Sequence, residues 1–242
     1  MNWLFYVILG FILISIFVGA RKGFFKMAIS MVFLILVLIL ASLLNPYVAK
    51  FLREKTTVYE IINEKSKAVV MSYLEKDELP QDDMAEADIS STMQNSILES
   101  LPLPQTFKNN LISNNKTDIY ELLGVNKFVD YLASYVAYSV TNGIAFLLSF
   151  ALAIILIRVI VYAINILTSL PGVGFVNSVG GMVLGGAQAI LWIWVFFVVV
   201  TVLYNTTFGE TLMSAIEGDA FLSFLYDKNV FLPVVMRVFG SK

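Results

Sequence analysis

Cysteine and histidine are both absent from the 242 residues. Their absence removes disulfides, thiol nucleophiles, Ser-His and Cys-His catalytic pairs, and the usual zinc ligand sets. Charge is also scarce, at 14% of residues, and no Asp or Glu falls in any long apolar stretch. A proton-coupled carrier or an intramembrane aspartyl protease would need such a carboxylate. There is no HExxH motif, and no basic stripe interleaved with aromatics, so a nucleic-acid partner is not expected. Alternating strand patterns, internal repeats and low-complexity tracts are missing too. The acidic run Asp82, Asp83, Glu86 and Asp88 offers the oxygen ligands that hard cations take. Its spacing does not fit an EF-hand and no glycine turn accompanies it, so a solvated loop is the expected reading. No metal, cofactor or enzymatic role is expected.

What is present is apolar sequence. Hydrophobic residues make up 58% of the chain and the mean hydropathy is +0.80, against about 45–50% apolar residues in soluble domains. The excess lies in four stretches, 3–20, 27–44, 140–166 and 182–204, each near the ~20 residues that cross a bilayer. The expected fold is all-α: a polytopic membrane protein with four transmembrane helices and a helical extracytoplasmic insert. Its parts are a transmembrane hairpin at 1–48, the insert at 49–135, a second transmembrane hairpin at 136–206 and an extracytoplasmic amphipathic tail at 207–242. Val18-Gly19-Ala20 has the small residues of a signal-peptide cleavage site. The positive charges follow the first stretch rather than precede it, which favours a retained membrane helix.

Arg21, Lys22 and Lys26 occupy the short loop between the first two spans, and such loops stay in the cytoplasm. Together with Arg158, near the inner end of span three, they are the expected topology determinants, placing both termini and the insert outside. Arg158 has three readings: snorkelling to headgroups, contact with a substrate or anion, and pairing with a helix end. In the insert Val58, Ile61, Ile62, Val69, Val70, Tyr73 and Leu74 recur at helical spacing, and Pro80 ends that helix. Further helical pieces are expected at 91–101, 105–112 and 117–123, with a segment from Lys127 running into span three. In the tail, Leu212, Ile216, Phe221, Leu222 and Leu225 share one face opposite Glu210, Glu217 and Asp219. That face suits either the outer leaflet surface or packing on the insert.

The Gly-rich segment 171–181 has no lysine and follows no strand, so it is a tight cytoplasmic connection and not a phosphate loop. After it, Gly181, Gly185 and Ala189 fall four apart, a small-residue face that lets another helix approach closely. Either another span of the same chain or a second copy in a homo-oligomer could fill it, with Val195 turned to lipid. Asn142, Asn165 and Gln188 are candidates for hydrogen bonds across helices, each worth about 0.6 kcal/mol.

Arg21-Lys22-Gly23-Phe24 after a first span resembles the basic hinge of the CvpA (colicin V production protein) family. Ile157-Arg158, Leu170-Pro171-Gly172, Asn177, Gly180-Gly181 and Leu184-Gly185-Gly186 look like that family's connection into its last span. The similarity covers roughly 2–203, interrupted by the insert, which resembles the enlarged outer loop of some Gram-positive members. Tail segment 221–230, with Leu225-Tyr226 and Asn229, is similar to tails of those members. The chain departs from the family at Phe5, where an acidic residue is frequent, and at Ser178, where a basic one is. The resemblance implies a non-enzymatic, multi-pass protein of the bacterial cytoplasmic (inner) membrane. Such a protein would support colicin or bacteriocin production or export and envelope homeostasis, with the lipid bilayer and envelope or export proteins as partners. The alternative is a small oligomeric transporter or channel. No catalytic residue is carried over.

Overall fold

In hydrocarbon each backbone N–H and C=O needs a partner within the protein, which leaves the helix as the economical form for these runs. The computed structural model describes residues 2–76, 97, 98, 105–113, 115, 123, 125, 128–164, 175–204 and 206–236, with the backbone alone at 73–76, 105–107, 161–164 and 175. Among the described residues the structure is helical, without strands. The expected acidic loop, Asn165 and the start of the Gly-rich connection lie outside them. The elements are α1 (Trp3–Lys55), α2 (Val58–Lys76), α3 (Gln105–Ser113), α4 (Phe128–Ile164), α5 (Phe175–Val202), α6 (Thr207–Glu217), α7 (Ala220–Asp227) and α8 (Leu232–Met236).

Three helices are long and apolar enough to cross a membrane, in α1, α4 and α5. The first two expected spans both lie in α1, whose 53 residues would extend about 80 Å if straight, well over twice the ~30 Å of hydrocarbon. It is not straight. Gly23 is non-helical, with φ 77° and ψ 166°. Before it, Ser15 stands against Gly185, Gly19 against Gly181, and Gly23 against Asn177. After it, Phe25 meets Asn177 and Ser30 meets Gln188. Position along α5 falls and then rises again, so the chain reverses direction at Gly23.

Helix α1 runs past the hairpin expected at 1–48. Pro46 lies inside α1 rather than ending it, although it lacks an N–H and crowds the preceding turn. Burial of Ala41 before it and of Ala49 and Leu52 after it holds the helix through that defect. Helix α4 starts at Phe128, in line with the expected segment from Lys127 running into span three, and its first turns have their own core to enter.

The chain divides into two compact units, Met1–Val48 with Ala145–Leu232, and Ala49–Ile144 with Pro233–Lys242. In the second, Phe128, Tyr131, Leu132 and Tyr135 of α4 pack with Val70 of α2, Leu111 of α3, Ile97 and Leu98. Burying each such side chain contributes about 1.5–3 kcal/mol. The Tyr131 hydroxyl donates to the Leu111 carbonyl at 2.9 Å and that of Tyr135 to Met236 at 3.4 Å. The inward face of α2 runs through Ser66 and Val70, and Ile61, expected on it, is 48% exposed.

In the first unit the tail folds back on α5. Thr206 caps α6 by accepting from the Gly209 N–H, and Asp219, expected on the polar face, caps α7 by accepting from Phe221 and Leu222. Each such cap is worth about 1 kcal/mol. Leu212, Met213, Ile216, Leu222, Leu225 and Tyr226 are buried, while Phe208 and Phe224 remain exposed. Three polar contacts tie this segment to α5. The Trp194 indole donates to Leu225 at 3.0 Å, the Asn229 amide donates to the Trp194 carbonyl at 2.9 Å, and Thr201 and Tyr226 share a hydroxyl bond of 2.8 Å. Asn2, at the other end of α1, donates to the Ala215 carbonyl, and Phe5 meets Phe221 edge-on.

Candidate functional site

A helix break strands carbonyls at the end of one segment and N–H groups at the start of the next. At Gly23 two side chains from the first turn of α5 take them up. Ser178 Oγ donates to the Ala20 carbonyl at 3.0 Å. Asn177 Oδ1 accepts from the Phe25 N–H at 3.4 Å. One thus caps the arm that ends and the other the arm that begins. The Gly23 conformation, with positive φ and extended ψ, is one that only glycine adopts readily, and a side chain there would overlap Asn177.

The arms and α5 approach at backbone distance. A methyl group built on Gly19 would overlap the Gly181 carbonyl, one on Gly181 the Gly19 carbonyl, and one on Gly185 the Ser15 carbonyl. Gly180 is covered by the Phe24 ring, and Ala189 is buried. The small-residue face is therefore filled by the first arm of the same chain. Farther along, the Gln188 amide donates to Ser30 Oγ at 3.2 Å. Val195, expected toward lipid, is instead only 8% exposed.

Arg21, Lys22 and Lys26 surround the hinge and are exposed. The Arg21 guanidinium lies 5.3 Å from the centroid of Phe17, one turn back. Arg158 is exposed on α4.

Two features escaped sequence reasoning. The capping roles of Asn177 and Ser178 join positions some 150 residues apart, which no local pattern reveals. The other is Arg53, near the end of α1. Its guanidinium stacks 4.2 Å from the Tyr138 ring centroid and donates to Asn142 Oδ1 at 2.7 Å, so Asn142 answers a cation. Tyr59 meets Tyr138 edge-on. Burial raises the Tyr59 phenol above its usual range, opposed by a hydrogen bond with Ser134, with Tyr138 raising it further and Arg53 lowering it. A recess of about 510 Å³ between Leu4, Ile8 and Phe11 of α1 and Trp192, Ile193 and Phe196 of α5 is lined by these apolar side chains. Among the described residues no cluster of Asp and Glu is placed to hold a metal. The groups that meet the backbone at the hinge are an amide and a hydroxyl, suited to fixing its two broken ends.

Comparisons with curated proteins and with solved structures give no match. Residues 122–225 match the family model described as Colicin V production protein. That stretch holds α4, α5 with Asn177, Gly181 and Gly185, α6 and most of α7. Over that stretch, less than half of the chain, the sequence is similar to that family, the one whose hinge and connection its residues resemble.

Proposed function

We propose that this chain is a four-span protein of the bacterial cytoplasmic membrane that supports production or export of a colicin-type toxin, and that it acts as a structural partner rather than as an enzyme. The family match over 122–225 carries the toxin role. The four-span count is supported by the reversal at Gly23, which gives each arm of α1 its own passage. Hinge and α5 start then share one membrane face, the cytoplasmic one by the positive charge of Arg21, Lys22 and Lys26. The insert leaves span two on the opposite face, in the manner of Gram-positive members. Envelope homeostasis and contact with export proteins belong to the same reading. A channel assembled through Gly181, Gly185 and Ala189 is disfavoured, since Ser15 and Gly19 of the same chain occupy that face.

The test uses toxin-producing bacteria with the chain intact, deleted, or carrying Gly185→Leu. Toxin is measured by immunoblot in the medium and in whole cells. Released toxin is expected to drop in the deletion strain and in the variant. Equal release from intact and deleted strains would sink the toxin role.

A further inference from the structure

We propose that the hinge of α1 is a binding surface for anionic phospholipid headgroups, held by Arg21, Lys22 and Lys26. The first observation is an imbalance of charge. The first acidic residue in the chain is Glu54, and none occurs between Asp130 and Glu210. The helices packed at the hinge therefore supply no carboxylate. Among the described residues the three cations form no ion pair. The acidic residues of this unit, Glu210, Glu217, Asp219 and Asp227, sit in the tail, which docks at Trp194 and Thr201. Between Asn177 and Thr201 lie about 36 Å of helix, several times the Debye length of ~8–10 Å. Among the described residues of this unit, no carboxylate is placed to neutralise the hinge.

The second observation is placement. Stacking of Arg21 on Phe17 draws its charge back toward the apolar run rather than out into water. Phe24 and Phe25, exposed at 42% and 54%, set apolar rings beside Lys22 and Lys26, the pairing of basic and apolar side chains found in segments that lie at membrane interfaces. Reversal at Gly23 turns the cations of both arms to one face, and the Asn177 and Ser178 caps hold them there. The anions in that layer are lipid phosphates. The planar Arg fork suits a phosphate, and each cation near an anionic surface adds roughly fivefold in affinity.

The experiment uses the full chain released from vesicles of equal phosphatidylglycerol and phosphatidylcholine, with retained lipids counted by native mass spectrometry. Wild type should keep phosphatidylglycerol over phosphatidylcholine by roughly fivefold or more. The combined Arg21→Gln, Lys22→Gln and Lys26→Gln variant should lose the preference, and Phe17→Leu, which keeps every charge and hence the topology signal, should reduce it. Millimolar inorganic phosphate should not displace the lipid. Equal retention by wild type, an unchanged preference in Phe17→Leu, or displacement by inorganic phosphate or by RNA would each overturn the proposal. The inference rests on the reversal of α1. A Ser30→Cys, Gln188→Cys crosslink reads that reversal alone, so its failure is separable from failure of lipid binding.

Discussion

A carbonyl or N–H left open beside hydrocarbon costs several kcal/mol unless another group meets it. Ser178 and Asn177 meet one each at the Gly23 break. Replacing either with alanine is expected to cost about 0.5–2 kcal/mol, the range for lost helix caps, read as a lower melting temperature in detergent. Gly23→Ala should cost more, because strain of about 1–3 kcal/mol adds to overlap with Asn177. The hinge glycine was legible as part of a motif, but its partners were not: only folding brings Asn177 to Phe25. The same applies to Tyr226, legible as a tail residue but not as a donor to α5. Thr201 spends its proton on the Phe197 carbonyl, so Tyr226 donates in the bond between them. Burial raises the Tyr226 phenol well above its usual range, the Thr201 bond working against that, with Glu217 and Asp227 raising it further. Below about pH 10 the group is protonated in both folded and unfolded chains. Above it only the unfolded chain releases the proton, so stability falls as pH rises toward the folded pKa. Tyr226→Phe should lower stability at neutral pH by about 1 kcal/mol and flatten the alkaline decline. A melting series from neutral to alkaline pH in detergent checks both, and parallel curves for the two proteins would count against the role given to Tyr226.

Helices that touch at backbone distance cannot absorb added bulk. Gly185→Leu should push the first arm of α1 from α5 and cost about 1–3 kcal/mol, as overpacking does. Val195 makes a poor comparison, being buried. Val183, 67% exposed on the same helix, is the fitting one, and Val183→Leu should leave yield and melting temperature unchanged. Similar losses from both would mean that the glycine face does not set the packing. The existence of these helices was legible from long apolar runs, because an unbroken run of that length satisfies its backbone in lipid as a helix, whereas barrel strands are short and alternating. The far end of the first helix was not. Apolar content falls where hydrocarbon stops, whereas α1 runs on through Pro46, held by burial of Ala49 and Leu52; the start of α4 at Phe128 was legible as a segment from Lys127 running into span three.

A single unbroken α1 and a reversed α1 predict different membrane passages, and the absence of cysteine makes them separable by single-cysteine labelling. In the four-span reading, Phe25 and Val176 lie at one face, and Asn2, Ser72 and Ser214 at the other. If α1 crossed only once, Phe25 would sit within the bilayer and Asn2 would lie opposite Ser72. Val176, Ser72 and Ser214 fall on the same sides in both cases, so they calibrate the assay without deciding it. The decisive sites are Asn2→Cys and Phe25→Cys. Phe25 is 54% exposed beside Lys26, where water can ionise a thiol for reaction. With a membrane-impermeant maleimide on intact cells, wall barrier opened if needed, Asn2→Cys, Ser72→Cys and Ser214→Cys should label. Phe25→Cys and Val176→Cys should label only after the membrane is permeabilised. Asn2 bonds to the Ala215 carbonyl, so its reactivity is read in denaturant-quenched samples against Ser214→Cys as the accessible standard. A Phe25→Cys thiol that stays unreacted after permeabilisation, while Val176→Cys reacts, would place the hinge inside the bilayer. The chain would then have three passages, and Arg21, Lys22 and Lys26 would lose the shared face on which both their topological role and their lipid contacts depend.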